Sequence, residues 1–454
     1  MGRRWIDSCI KSLWRSRISW LVLLCVSFLN VTLFLHTSRL TYTNCDTDLL
    51  RRFDEADIKD LSYKQFKFTR DDLRLTFREV PALGEDTATR DNIDQYTCTQ
   101  HGPLRVNDTE DLFCQKRPHY LPEYLNPCYR EATTDQLDTG RIRCLPYFHI
   151  LGVDKSGTTD FFSRLVAHPQ ILNNGGGIGK ETYYWAWLRY GLWMKDNKAK
   201  WRLWRYILFF KKASSRIEQS LVIFKQQLIT GDGTPMDFWD FRGWTLDPQN
   251  AGLTEPRVLT PHLMRHLYKN PKFILLFRDP VDRLYSDYIF LGYGFTAEKF
   301  ARDVPKAIAM LRDCLQTNTT RQCFFSDLMY HRLPMRIHTS CYSVFLREWL
   351  SVFHRNHFLV LRTEDYHSNM KATLEQTFRF LQVAPLSDPD LDDVLRQQMK
   401  HETYRKKTAG DMYPETRALL EEFFAPFNQD LARLLQDDKF LWKDQSRSRS
   451  SATR

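Results

Sequence analysis

No two cysteines of the chain stand as C-x-x-C, no Ser-His-Asp order in it suggests a hydrolase, and it shows no internal repeat. The first absence argues against a zinc or thioredoxin-type site, the second against a hydrolase triad, and the third against a repeat architecture. Charge is also missing from one stretch: between Arg17 and Arg39 there is no Asp, Glu, Lys or Arg. Ile18 to Leu35 is almost continuously apolar, about the helical length of one bilayer core. Arg3, Arg4, Lys11, Arg15 and Arg17 precede it, so the positive-inside rule puts the amino terminus in the cytoplasm. No small-x-small site closes the run well, so a type II anchor with a lumenal body is expected rather than a removed signal peptide.

What is present fits that layout. The 454 residues, 43% apolar and 14% aromatic, suffice for a folded core plus appendages. The net charge of +10 suggests an anionic partner, either a membrane surface or an acidic polysaccharide once nucleic acid is set aside by the lumenal placement. Eight cysteines lie beyond the apolar run: Cys45, Cys98, Cys114, Cys128, Cys144, Cys314, Cys323 and Cys341. An even set in an oxidising lumen predicts disulfides, with Cys314 and Cys323 the most local pair. Asn107-Asp108-Thr109 and Asn318-Thr319-Thr320 are glycosylation sequons. The expected layout is a cytoplasmic tail over 1–17, an anchor over 18–35, a polar stem over 36–95 and a disulfide-rich lead-in over 96–145. The main domain follows over 146–442, then a low-complexity, disordered tail over 443–454.

Within the main domain short apolar runs alternate with helical ones. Strands are predicted at Tyr147–Val153, Gln227–Thr230, Phe273–Phe277 and Phe358–Leu361, and helices near 158–167, 260–269, 281–290, 369–381 and 415–435. Such alternation predicts an α/β fold with a central parallel sheet flanked by helices, its ligands gathered at the carboxyl ends of the strands.

Three segments carry candidate chemistry. In Leu151-Gly152-Val153-Asp154-Lys155-Ser156-Gly157-Thr158-Thr159 a strand runs through a small-residue turn into a helix, the arrangement that presents backbone N–H groups to a phosphate. Gly152 and Gly157 have Walker spacing, but Thr158 stands where a lysine would follow, and Lys155 comes before the second glycine. Next, Gly179-Lys180-Glu181-Thr182-Tyr183-Tyr184-Trp185 offers a carboxylate, Glu181, beside an aromatic wall. Third, a strand ends at Arg278 and Pro280 opens a helix carrying Ser286, placing a guanidinium and a hydroxyl where a phosphate can be held. Further on, Trp185, Trp187, Trp193, Trp201 and Trp204 alternate with Arg189, Lys195, Lys198, Lys200, Arg202 and Arg205. Tryptophan faces stack on sugar rings and cations pair with sulfates, so Lys180, Trp185 and Arg189 are candidate acceptor contacts. The competing reading is an amphipathic helix with Trp201, Trp204 and Leu208 in the core. His149 and His168 are expected to be buried, satisfied histidines.

Taken in order, Lys-Ser-Gly-Thr-Thr, Lys-Glu-Thr-Tyr-Tyr, Gly-Asp-Gly-Thr-Pro and Arg-Asp-Pro-Val-Asp-Arg-Leu-Tyr-Ser resemble the Golgi carbohydrate sulfotransferases. The branch most resembled contains the heparan sulfate sulfotransferases and N-acetylgalactosamine 4-sulfate 6-O-sulfotransferase. The resemblance covers about 146 to 442 and implies a five-stranded parallel sheet. It implies 3′-phosphoadenosine 5′-phosphosulfate (PAPS) as sulfate donor, with no metal. Lys155, Ser156, Gly157, Thr158 and Thr159 would hold the 5′-phosphosulfate, Arg278 and Ser286 the 3′-phosphate, and Glu181 would be the base. Tyr404-Arg405-Lys406-Lys407-Thr408-Ala409-Gly410 resembles the basic loop that closes over the nucleotide, leaving open which of Arg405, Lys406 and Lys407 touches phosphate. At Gly233 the chain departs from relatives that carry lysine before Thr-Pro. Asp411–Arg417 and Pro426-Phe427-Asn428 look more like the galactosamine branch. The resemblance therefore implies a chondroitin or dermatan sulfate acceptor, a Golgi membrane location and room for a homodimer. A heparan sulfate sulfotransferase, a metal-dependent Golgi glycosyltransferase using Asp46-Thr47-Asp48 or Asp388-Pro389-Asp390, and a non-catalytic glycosaminoglycan binder are the alternatives.

Overall fold

The computed structural model describes residues 93–100, 102–105, 107–131, 140–193, 199–398 and 406–443. The expected cytoplasmic tail, the anchor, the stem up to residue 92, Cys45, Arg405 and the tail after residue 443 lie outside the described residues. Among the described residues no helix is long and apolar enough to cross a membrane.

Five parallel strands form the central sheet: β3 (Phe148–Gly152), β4 (Ile171–Leu172), β5 (Ile229–Asp232), β6 (Lys272–Phe277) and β7 (Phe358–Arg362), in the order β4-β5-β3-β6-β7. A separate antiparallel pair, β1 (Cys128–Arg130) and β2 (Ile142–Cys144), precedes them. All four predicted strands are present within two residues of their expected starts. Their residues are buried almost throughout because both sheet faces are covered, as a parallel sheet requires. Phe273, Ile274, Leu275, Leu276 and Phe277 of β6 are all fully buried. Covering one phenylalanine contributes roughly 1.5–3 kcal/mol.

The helices are α1 (Thr158–Leu165), α2 (Leu203–Leu208), α3 (Lys211–Phe224), α4 (Thr260–Leu267), α5 (Pro280–Leu291), α6 (Ala297–Thr317), α7 (Thr320–Phe324) and α8 (Asp327–Arg332). They continue with α9 (Tyr342–Leu350), α10 (Thr363–Ser368), α11 (Met370–Leu381), α12 (Asp388–Arg396), α13 (Lys406–Ala409) and α14 (Pro414–Leu435). Asp388-Pro389-Asp390 is the first turn of α12 under a Ser387 cap.

The lead-in is part of the main body. Tyr96, Leu112 and Phe113 join the large core on the α4 side of the sheet, and Arg117 donates to the carbonyls of His266 (2.6 Å) and Arg265 (2.9 Å) at the end of α4. Disulfides join Cys98 to Cys114, Cys128 to Cys144, and, as expected, Cys314 to Cys323. Cys341 stands outside these pairs: among the described residues it is a free thiol, completely buried where α9 begins. His149 is buried as expected but not satisfied. Its ring stands against Tyr268 and Phe273, neither ring nitrogen has a hydrogen-bond partner, and burial pushes its pKa down to about 3. His168 does pair, accepting from the Gln170 amide at 3.1 Å and meeting the Ala384 carbonyl at 2.8 Å.

Candidate active site

The loop after β3 is built for an anion. Lys155 lies in the left-handed region at φ 65°, and Gly157 at φ 82° caps α1 without a side chain, so the chain turns sharply and enters the helix with its first amides facing outward. Ser156 is buried and its hydroxyl has no partner in the protein. An orphan buried hydroxyl beside a helix N-terminus and a lysine is what an oxyanion ligand would complete.

Lys155 is half-buried, its ammonium 3.7 Å from the centre of the exposed Phe290 ring, and its carbonyl accepts from Arg278 Nη1 at 3.0 Å. Burial lowers its pKa to about 8; Asp287 and Asp154 oppose that shift, and Arg278 and Arg336 add to it. Beneath it lies an ionic layer. Arg336 pairs in bidentate fashion with Asp287, its Nε donating to Asp287 Oδ2 at 2.9 Å, and stands 3.8 Å from Asp154. Burial alone would raise the Asp287 pKa, but Arg336 and Arg283 outweigh it and hold the carboxyl below its ordinary value.

Glu181 comes from the turn after β4. One carboxylate oxygen, Oε1, takes the Lys180 ammonium at 2.6 Å, and the other accepts the Tyr183 hydroxyl. Lys180 is also 3.2 Å from Thr158 Oγ1 and 3.5 Å from Thr159 Oγ1, in the first turn of α1. Each threonine oxygen receives the ammonium and keeps its own proton to donate. The segment 180–183 is fastened to the end of β5. Asp232 accepts from Thr182 Oγ1 (2.6 Å) and Thr234 Oγ1 (2.7 Å), Thr234 Oγ1 accepts the Thr182 amide (2.9 Å), and the Gly233 amide donates to the Lys180 carbonyl (3.0 Å). Burial raises the Asp232 pKa to about 6 against the pull of those hydroxyls.

Arg278 stands at the exit of β6, and Asp279 caps α5, accepting from the amides of Val281 (2.9 Å) and Asp282 (3.0 Å). Ser286 is buried on α5. The neighbouring Tyr285 hydroxyl donates to the Gly410 carbonyl at 2.7 Å, which docks the segment after α13 against the same helix. Lys406 and Lys407 open that short helix rather than lying in a loop.

The expected acceptor contacts need correction. Trp185 is completely buried, edge-on to Tyr184 and Tyr206 in the main core. Arg189 is buried too, paired with Asp247 at 2.8 Å and donating to the Glu110 carbonyl at 3.2 Å. Lys180 is 1% exposed and points at Glu181 and α1. The amphipathic-helix reading also fails in its particulars: α2 buries Leu203 and Tyr206 and leaves Trp204 and Leu208 exposed. The aromatic face nearest Glu181 is a different set. Tyr183 stacks on Trp187 (5.6 Å, 6° between planes) and meets Trp193 at 4.3 Å, and Trp193 is exposed. Asn107 and Asn318 are both exposed.

The site thus joins the ends of β3, β5 and β6 with the turn after β4, bringing together the four sequence segments that carry the resemblance. A family model described as a sulfotransferase domain matches residues 146–413. The chain belongs to the sulfotransferase family. Among its relatives are the carbohydrate sulfotransferase 15 of Mus musculus, 33% identical over 315 residues, and that of Homo sapiens, 34% identical over 316. Each match takes in 67% of this chain and 55% of the relative, so the chain spans about half the length of these sulfotransferases. A crystal structure of a sulfotransferase from Alicyclobacillus acidocaldarius aligns with 65% of this chain and 97% of its own, at 19% identity and a TM-score of 0.40. Sequence reasoning passed over Tyr183, Thr234 and Asp232 as individual groups, although all three lie inside the strings that carried the resemblance. Arg336 and Asp287 gave no local signal, since their pairing joins residues 49 apart.

Proposed function

We propose that this chain is a PAPS-dependent carbohydrate sulfotransferase that acts on a glycosaminoglycan hydroxyl. The preferred position is the 6-hydroxyl of N-acetylgalactosamine 4-sulfate in chondroitin or dermatan sulfate. The observation that carries the proposal is the meeting of the candidate base with the anion loop: Glu181 is joined through one ammonium to Thr158.

The orphan Ser156 hydroxyl, the positive φ at Lys155 and Gly157, and the cluster of Lys155, Lys180 and Arg278 fit a phosphosulfate. When bound, PAPS supplies a sulfuryl group on a phosphate leaving group, so that an acceptor O–S bond forms as the donor S–O bond breaks. Lys155, the amides entering α1 and the Thr158 and Thr159 hydroxyls would stabilise the charge left on the phosphate. Arg278 and Ser286 would hold the 3′-phosphate, aided by one or more of Arg405, Lys406 and Lys407, which shortly precede the Gly410 that Tyr285 of α5 holds. Glu181, 12% exposed on its side chain, takes the acceptor's proton. Exposed Trp193, packed on Tyr183 beside it, offers a face for a sugar ring.

The names of the relatives support a carbohydrate acceptor, and the family strings support the galactosamine branch over heparan sulfate. The charge-free run and its basic flank support a type II anchor at 18–35, the resemblance to Golgi carbohydrate sulfotransferases supports a Golgi location, and glycans at Asn107 and Asn318 accompany that lumenal placement. The test is transfer of labelled sulfate from PAPS to chondroitin, dermatan and heparan sulfates, followed by disaccharide analysis. Labelled 6-sulfate on galactosamine 4-sulfate is expected, and it should vanish in Lys155→Ala and Glu181→Ala. Label on glucosamine would move the assignment to the heparan branch, and no label on any polysaccharide would end it.

A further inference from the structure

Lys180 is unusual among the basic residues near the site. It is 1% exposed, and the described hydrogen bonds of its ammonium go to the proposed base and to the first turn of α1. Its stem crosses residue 233 closely: a β-carbon built there would lie 2.6 Å from Lys180 Cγ and 2.9 Å from Lys180 Cε. Residue 233 is glycine at a φ open to any residue, so backbone conformation does not require glycine at that point. The space taken by Lys180 does. The same two residues are joined in the backbone, the Gly233 amide donating to the Lys180 carbonyl. The Asn174 side-chain amide donates to that carbonyl as well, at 2.8 Å.

We infer that Lys180 is a positioning residue for sulfuryl transfer: it holds Glu181 against the first turn of α1, and Gly233 exists to let it do so. The inference rests on Glu181 being the base. A carboxylate on a surface turn samples many rotamers. Clamped by a buried ammonium on one oxygen and by Tyr183 on the other, Glu181 has a fixed distance to Thr158 and Thr159, and therefore to anything bound at the loop. The lysine serves the base and the loop together, which a lysine reaching out to bind acceptor sulfates could not do.

The test is a double-mutant cycle on Lys180→Met and Gly233→Ala, with kcat and both KM values measured per folded protein. Methionine keeps the stem and removes the ammonium. Alanine keeps the ammonium and forces the stem aside. Each single variant should lose about 100-fold in kcat, the scale of an ångström-sized misplacement, with KM for acceptor and donor little changed. The double variant should be no slower than Lys180→Met, because the displaced stem no longer carries a charge to misplace. Unchanged kcat in Lys180→Met, or losses that multiply in the double variant, would overturn the inference. So would a raised acceptor KM at constant kcat, which would make Lys180 an acceptor contact. A second readout is independent of turnover: hydrogen exchange at the Thr158 and Thr159 amides should quicken in both single variants and no further in the double. If the wild-type chain transfers no sulfate but shows that exchange pattern, the proposed activity falls while the clamp stands. If turnover is present and the exchange is unaltered, the clamp falls alone.

Discussion

The indole N–H of Trp239 donates to Asp154 Oδ2 at 2.6 Å, immediately before Lys155 in the chain. Asp154 is thereby fixed between Trp239 and Arg336, and the residue that follows it leaves in a set direction. The ammonium of Lys155 is consequently carried over Asp287 and the ring of Phe290 in a partly dry setting, which lowers its pKa to about 8.

A pH profile follows from that shift. The protonated form is the one that binds an anion, and it is lost as pH rises through about 8. The kcat/KM for donor, which reports the free enzyme, should fall about tenfold per unit above that point. In Lys155→Arg the alkaline limb should disappear below pH 10, since guanidinium stays charged. Stability should move the other way. Between about 8 and the ordinary lysine value of 10.5 the unfolded chain binds more protons than the folded one, so this group makes unfolding harder as pH rises. Stopped-time assays and urea melts across pH 7–10 would check the two limbs separately.

Replacing the base isolates chemistry from binding. Glu181→Gln should lower kcat by roughly 10²–10⁴-fold, the usual contribution of a positioned base. Binding of 3′,5′-ADP by calorimetry should stay within a few-fold of wild type, because Lys155, Ser156 and Arg278 are untouched. A large loss of nucleotide affinity would place Glu181 in the donor site instead.

Asp232 accepts from three hydroxyls, those of Thr182, Thr234 and Tyr206. Asp232→Asn turns one acceptor oxygen into a donor facing donors, at a cost of roughly 1–3 kcal/mol. The effect should appear both in Tm and as a lower kcat, since the segment carrying Glu181 is fastened there. Loss of Tm with full kcat in the folded fraction would show that the fastening at Lys180 and Gly233 suffices alone.

Arg189→Ala should leave acceptor KM unchanged and destabilise the fold by roughly 3–5 kcal/mol, because it strips a buried carboxylate, Asp247, of its partner. Chemical denaturation and acceptor titration measure the two effects. A raised acceptor KM in a stable protein would return Arg189 to the acceptor site.

Strand β6 was legible because burial on both faces leaves an unbroken apolar run, Phe273–Phe277. Ile171–Leu172 was not, since two residues show no period. The 21-residue α6 was missed although Phe300, Val304, Ala307, Ile308 and Leu311 form a buried stripe; Pro305 in its middle resembles a breaker. Lys155, Glu181 and Arg278 could be read because their order along the chain is itself a pattern. The fate of Trp185 and Arg189 could not. Tryptophans alternating with cations look the same whether they line a sugar cleft or a core with a buried ion pair, and the deciding partner, Asp247, is 58 residues away. Lys180 was read as an acceptor contact for a related reason: nothing in a Lys-Glu dipeptide tells that a glycine 53 positions on leaves room to bury it.

The order of the central sheet has a bearing on how the chain comes to be made. Strand β3, which launches the Lys155 loop, lies between β5 and β6, so its two neighbours are synthesised only after residues 229 and 272 respectively. Until β6 emerges, the loop's strand has an open edge, and until residue 362 emerges so has β6 itself. Pairings between such distant segments are slow to form. A chain emerging amino end first must therefore carry an unfinished, edge-exposed sheet through much of its synthesis, and the cation cluster is assembled only when most of the domain is already present.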